Sequence, residues 1–205
     1  MKVHMNLYVF VAVLFVVGGV FGVILLHALT LEQQQDLSDE LSGYMRYMNI
    51  GIDASEKEVF WDRFLVHMKW LVLIWLLGVT VVGIPGILAL NFLKGTLIGF
   101  ALAVLVQQYG WKGVVFAFLA LAPQNMIAVP ALIVASAFSI AFGIYLVKNR
   151  LLQQRGELLP QLGTLTSMAI MMLLLLAGAA CVEAYLSPSV IGWAIPYLSP
   201  SDGMF

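Results

Sequence analysis

GVVFAFLALAPQNMIAVPALIVASAFSIAFGIYLV, residues 113–147, carries no charged side chain, yet Ala-Pro-Gln-Asn at 122–125 interrupts it. One membrane-crossing helix needs only about 20 apolar residues, so an uncharged run this long belongs in a bilayer. Proline removes a helical hydrogen bond, and two adjacent amide side chains find no partner in lipid. Pro123, Gln124 and Asn125 are therefore expected to mark a broken or kinked helix. Its polar groups would be satisfied by other protein or by a water-filled cavity. The fold class that follows is all-α, a polytopic integral membrane helix bundle.

Composition points the same way. Only 10% of the 205 residues are charged and 62% are hydrophobic, whereas an ordinary soluble domain is about 25% charged. That length leaves no room for a separate soluble catalytic domain beside the spans. A net charge of −1 gives no electrostatic footprint for a nucleic acid. Cys181, the single cysteine, has no partner within the chain for a disulfide.

Charge-free runs at Leu7–Leu26, Trp70–Leu93, Gly95–Trp111, Gly113–Val147 and Leu158–Val182 predict five transmembrane helices. Their expected limits are residues 7–29, 67–93, 95–109, 113–147 (broken at 122–125) and 161–186, in one membrane domain, 1–205. The first run is too long for the apolar part of a signal peptide, and His-Ala-Leu-Thr at 27–30 is a poor cleavage site. It reads as a retained span.

Five spans divide the basic residues evenly. Lys2, Lys94, Lys148, Arg150 and Arg155 fall on the side of the N-terminus, and Arg46, Lys57, Arg63, Lys69 and Lys112 on the other. The first set occupies short segments, where the positive-inside rule has most force. The N-terminus is therefore expected in the cytoplasm and the C-terminus outside. A ranked alternative makes 95–122 a re-entrant hairpin and leaves four spans.

The only long polar segment, 30–66, is strongly acidic and has helical patterning. Thr30 with Gln33 and Ser55 with Glu58 have capping-box spacing, and Leu37, Leu41, Tyr44, Met45 and Met48 share a face. It is expected to be a helical outer loop, serving either as a solvated connector or as a partner-docking surface.

Three features could carry function. Pro123-Gln124-Asn125, with Pro130, suits a midplane transporter site or a structural kink. No acidic residue accompanies the amides, which favours the kink. Glu183, near the end of the last span, is a membrane acid that should be paired or should reach the water interface. Lys69 or Lys112 is its expected partner, in an outer polar cluster with Gln107, Gln108, Gln124 and Asn125. Gly18 and Gly22, and again Gly95 and Gly99, have the small-xxx-small spacing of close helix contacts, within the chain or in a homodimer.

Signals of enzymatic chemistry are missing from the sequence. His4, His27 and His67 are scattered, with no HExxH, no Cys/His metal set, no GxSxG and no phosphate-binding loop. No catalytic, metal or cofactor residue is assigned.

Certain stretches are recognisable as sequence. Asn91-Phe-Leu-Lys-Gly-Thr-Leu-Ile-Gly-Phe, Leu-Val-Gln-Gln-Tyr-Gly-Trp-Lys-Gly (105–113), Ala-Pro-Gln-Asn (122–125) and Val-Pro-Ala (129–131) resemble the stage II sporulation protein M (SpoIIM) family. His67-Met-Lys-Trp, Val82-Gly-Ile-Pro and Glu-Ala-Tyr-Leu-Ser-Pro (183–188) fit it too, and the resemblance runs from about residue 7 to 188. The resemblance implies a non-enzymatic scaffold in the septal and engulfing membrane of the mother cell during sporulation. There it would organise SpoIID-like and SpoIIP-like cell-wall hydrolases that remodel peptidoglycan in engulfment. Relatives outside spore formers imply an alternative, a permease-like subunit working with an ATPase. The partners expected are those hydrolases, membrane lipid and a second copy of the chain.

Overall fold

The computed structural model describes residues 5–30, 32–33, 35–36, 56–80, 83–148 and 158–186. Among the described residues five long helices follow one another: α1 (Met5–His27), α2 (Glu56–Val79), α3 (Gly83–Tyr109), α4 (Trp111–Leu146) and α5 (Leu158–Cys181). A π-helical turn, Val182–Leu186, closes α5. No strand occurs among the described residues. Four segments are long and apolar enough to cross a membrane: α1, α3, Ala122–Leu146 of α4, and Leu159–Tyr185 of α5 with its π-turn. The chain is an all-α membrane helix bundle.

α2 falls short of that standard because its first half is charged, from Lys57 to Lys69. It nevertheless packs as a member of the bundle, against α4, α5 and α3. His67, Leu71, Ile74 and Gly78 form its buried stripe, at the spacing of one helical face. Leu65, Val66, Val72, Leu73 and Leu76 are exposed on its other side, as in a helix that meets lipid.

The boundary between the second and third expected spans lies elsewhere. It falls between Val79 and Gly83, not at Lys94, which lies inside a continuous α3. Thr80 donates its hydroxyl to the Leu77 carbonyl (2.8 Å), and the Gly83 amide donates to the Thr80 carbonyl (3.2 Å). A Cβ on Gly83 would strike the Leu77 carbonyl, so the tight corner requires glycine. Pro85 follows in the first turn of α3, where its missing N–H has no helical acceptor to lose.

α3 and α4 are joined by Gly110 alone, at φ +56°, a left-handed conformation that glycine adopts without steric cost. A re-entrant hairpin over 95–122 is therefore replaced by two full helices meeting at one residue. The break expected at 122–125 is not a break either, since α4 is helical from Trp111 through Pro123 and Pro130 to Leu146. At 1.5 Å per residue α4 runs about 54 Å, well beyond a hydrocarbon core of about 30 Å. It must tilt or extend past the core.

α4 is the central helix, contacting every other one. Ala128, Ala131, Ala135, Ser136 and Ser139 are buried along it, and small residues let neighbouring backbones approach. A Cβ on Gly78 of α2 would meet Ser139 at 2.6 Å. α1 packs mainly on α3, running parallel to it, through the predicted glycines. A Cβ on Gly18 would strike the Phe92 carbonyl, one on Gly22 the Thr96 carbonyl, one on Gly95 the Phe15 carbonyl, and one on Gly99 the Gly19 carbonyl. Both spacings are thus used within the chain, and they lend no support to a homodimer.

The reciprocal capping bonds expected of Thr30 and Gln33 are present, at 3.1 and 3.4 Å. The Leu37–Met48 face, the Ser55 cap, Arg150, Arg155 and the tail from Ser189 to Phe205 lie outside the described residues.

Candidate functional site: a charge cluster inside the bundle

Chain direction places the start of α2 and the ends of α1, α3 and α5 at one end of the bundle. From that end, charged and polar side chains descend between α2, α5 and α3. Glu183 stands in the π-turn, with its side chain 16% exposed. Its Oε1 lies 3.3 Å from Nε of Arg63, and its Oε2 lies 3.5 Å from Nε2 of His67. Arg63 and His67 are four residues apart on α2, so one carboxylate faces both. A π-turn widens the helix by one residue, and such turns recur at functional sites. Here it accompanies the inward packing of Ala184, which is fully buried.

His67 is 6% exposed, and neither ring nitrogen has a hydrogen-bond partner. Its approach to Glu183 is thus electrostatic contact without a formed hydrogen bond. Such a buried polar group carries a desolvation cost of about 1–3 kcal/mol.

Lys94 completes the cluster from α3. Its Nζ sits 5.2 Å above the Trp70 ring, a cation–π contact to α2, and it feels the charge of Glu183. Lys94 is about 16 Å from the Gly83 end of α3 and about 22 Å from the Tyr109 end. The next residue, Gly95, packs on Phe15 and Gly19, both well inside α1. Lys94 therefore lies well inside a candidate span, and at the centre of a span a lysine costs about 2.5–3.5 kcal/mol on insertion scales. Intramembrane charges of this kind are usually functional.

A neutral relay lies deeper. Asn91 Nδ2 donates to Ser136 Oγ (2.7 Å) and to the Ile87 carbonyl (2.8 Å), and Ser136 donates to the Leu132 carbonyl (2.7 Å). All three bonds are buried, and the one between Asn91 and Ser136 ties α3 to α4.

The residues expected to cluster are dispersed in part. Lys69 and Lys112 are exposed, and neither makes an ion pair with Glu183; Arg63 and His67 take that place. Gln124 is buried and Asn125 half-buried, and both are engaged, as is the exposed Gln107. Gln108 is half-buried, with its Oε1 lacking a hydrogen-bond partner. An acid needing a basic partner was readable from sequence, but the partner was not. The missed signal was the i, i+4 spacing of Arg63 and His67 ahead of Leu71. It becomes visible only once α2 is started at Glu56 rather than at residue 67. Lys94 reads in sequence as the end of a span, which hides its place in the cluster.

Residues 11–188 match the protein-family model described as SpoIIM, Stage II sporulation protein M. No curated protein and no solved structure matches the chain.

Proposed function

Because the chain belongs to the stage II sporulation protein M family, we propose that it is a non-enzymatic membrane scaffold of the sporulation peptidoglycan-remodelling complex. Its partners on this reading are SpoIID-like and SpoIIP-like cell-wall hydrolases, organised during engulfment in the septal and engulfing membrane of the mother cell. The observation that carries the proposal is the family match over most of the chain. The Glu183 end of the bundle, with Arg63, Trp61 and Lys112 around it, is then the outer, hydrolase-facing end. On this reading Lys2 and the basic segment 148–155 are cytoplasmic; without Lys94 that side carries four basic residues against five, and the orientation rests on the shortness of the segments that carry the four.

Co-purification from sporulating cells tests this. Wild type should recover both hydrolases and complete engulfment, whereas well-expressed Glu183→Ala should lose them. Gln124→Ala/Asn125→Ala, altered on α4, should keep them. Failure of the wild type to capture either hydrolase would reject the scaffold role.

One observation favours a second reading. A lysine well inside a candidate span suits a permease-like subunit working with an ATPase better than it suits a passive anchor. Equal hydrolase capture by all variants, with engulfment still blocked by Glu183→Ala, would move this reading ahead.

A further inference from the structure

His67 is more than nine-tenths buried on α2, and neither ring nitrogen has a hydrogen-bond partner. Its Nε2 stops 3.5 Å short of Oε2 of Glu183, farther than the roughly 2.7–2.9 Å of a charge-assisted hydrogen bond. A neutral imidazole in this place gains little for the cost of burying it. Protonated, the same ring would meet a carboxylate oxygen already turned toward it, after a closure of roughly 0.7 Å. Nδ1 is unpartnered in either state, so the difference between the two rests on Nε2.

The other charges leave that oxygen available. Arg63 is 45% exposed and faces Oε1, in a pair that water screens. Lys94 of α3 acts on Glu183 from farther away, with no ion pair between them. α4 has no charge between Gly113 and Leu146, and α5 none between Leu158 and Cys181. On α2, Lys57, Glu58, Asp62 and Lys69 are exposed. Tyr109, Lys112, Cys181 and Tyr185 belong to the same end of the bundle, and none bonds to the His67 ring; Tyr145 lies at the far end of α4. Arg63 is one helical turn nearer the end than His67, so water reaches the rim of the pair.

We propose that His67 and Glu183 form a proton-binding site, and that the bound proton latches α2 to the π-turn closing α5. The proton comes from water at the rim, is carried by Nε2 and is donated to Oε2. Its release returns it to that water and leaves Arg63 as the contact between Glu183 and α2. The turn is then free to relax, because a π-turn holds one residue more than an α-turn. Return to α geometry would swing Glu183 about 100°, the rotation of one residue. The site does not rest on hydrolase docking, and it works from whichever face of the membrane this end meets.

Full-length protein in mild detergent, carrying nitrogen-15-labelled histidine, tests this by NMR, with His67→Gln to identify the signal. The ring should pass from neutral to imidazolium between pH 8 and pH 5, the range in which histidines ordinarily exchange their proton. Glu183→Gln should move the midpoint down by about one pH unit, a tenfold loss of proton affinity, while the exposed His27 stays where it was. Glu183→Asp keeps the charge and should restore most of the shift. A midpoint that Glu183→Gln leaves unmoved, or a ring that keeps one charge state throughout, overturns the site. Should Glu183→Gln fail to fold, amide exchange in wild type decides. Corrected for the intrinsic rise of exchange with pH, Val182–Leu186 should be about tenfold better protected at pH 5 than at pH 8, and protection independent of pH overturns the latch.

Discussion

Gly22 shows how far one absent methyl group can reach. Its Cα lies so near the Thr96 carbonyl and the Phe100 amide that a Cβ would displace backbone, which cannot swing away as a flexible side chain can. Gly22→Ala should therefore destabilise the bundle by about 1–3 kcal/mol, the usual cost of overpacking a close-packed contact. Gly163→Ala makes the control. Nothing lies within 4 Å of its would-be Cβ, and helix propensity alone favours alanine by about 0.5–1 kcal/mol. Thermal unfolding in detergent should shift the two variants in opposite directions. Ser136→Ala removes the acceptor for Asn91 and should cost about 0.6 kcal/mol, with about 1.7 as the upper range for membrane hydrogen bonds. Asn91→Leu with Ser136→Ala should cost less than the separate losses added together, because neither partner is then left unsatisfied.

At the scale of the element, Pro123 separates two accounts of α4. A break that formed a binding site would need its proline, and an uninterrupted helix does not. Because α4 is continuous through 123 and 130, Pro123→Ala should leave stability unchanged or raise it. The ceiling is the roughly 3 kcal/mol that a proline costs inside a helix. A fall in unfolding temperature would show that the proline is a required feature of α4. The same helix shows what sequence can and cannot carry. Its apolar length and lack of charge announced a buried membrane segment, and α4 is the helix at the centre of the bundle. The end of α2 was hidden because Val79, Val81, Val82 and Ile84 are as apolar as the spans they separate. Hydropathy does not register a helix end among apolar residues, whereas a charge such as Lys94 looks like a boundary even inside a helix. Glu183 was legible as an acid in need of a partner. Arg63 was not legible as that partner, because the contact joins helices far apart in sequence.

For the whole molecule, the glycine faces of α1 and α3 are spent on each other. Purification in mild detergent should therefore give a monomer by light scattering, and Gly95→Leu should loosen the fold without dissociating an oligomer. A stable dimer that Gly95→Leu splits into folded monomers would reverse that assignment.

The single-residue joint at Gly110 also bears on how the chain is made. α3 is the least apolar of the four membrane-crossing segments and carries Lys94 at its centre. Left to partition from the translocon by itself, it is the segment most at risk of slipping through. With only Gly110 between them, α3 and α4 have no tether on which one could wait outside the bilayer for the other. They must be delivered as a helical hairpin, in which the more apolar α4 offsets the cost of the lysine. A chain truncated after Gly110 should integrate α3 poorly in a glycosylation-mapping assay, and extension through Leu146 should restore it. Inserting a flexible linker of about ten residues at Gly110 should uncouple the two, turning an assembly step enforced by geometry into one left to chance.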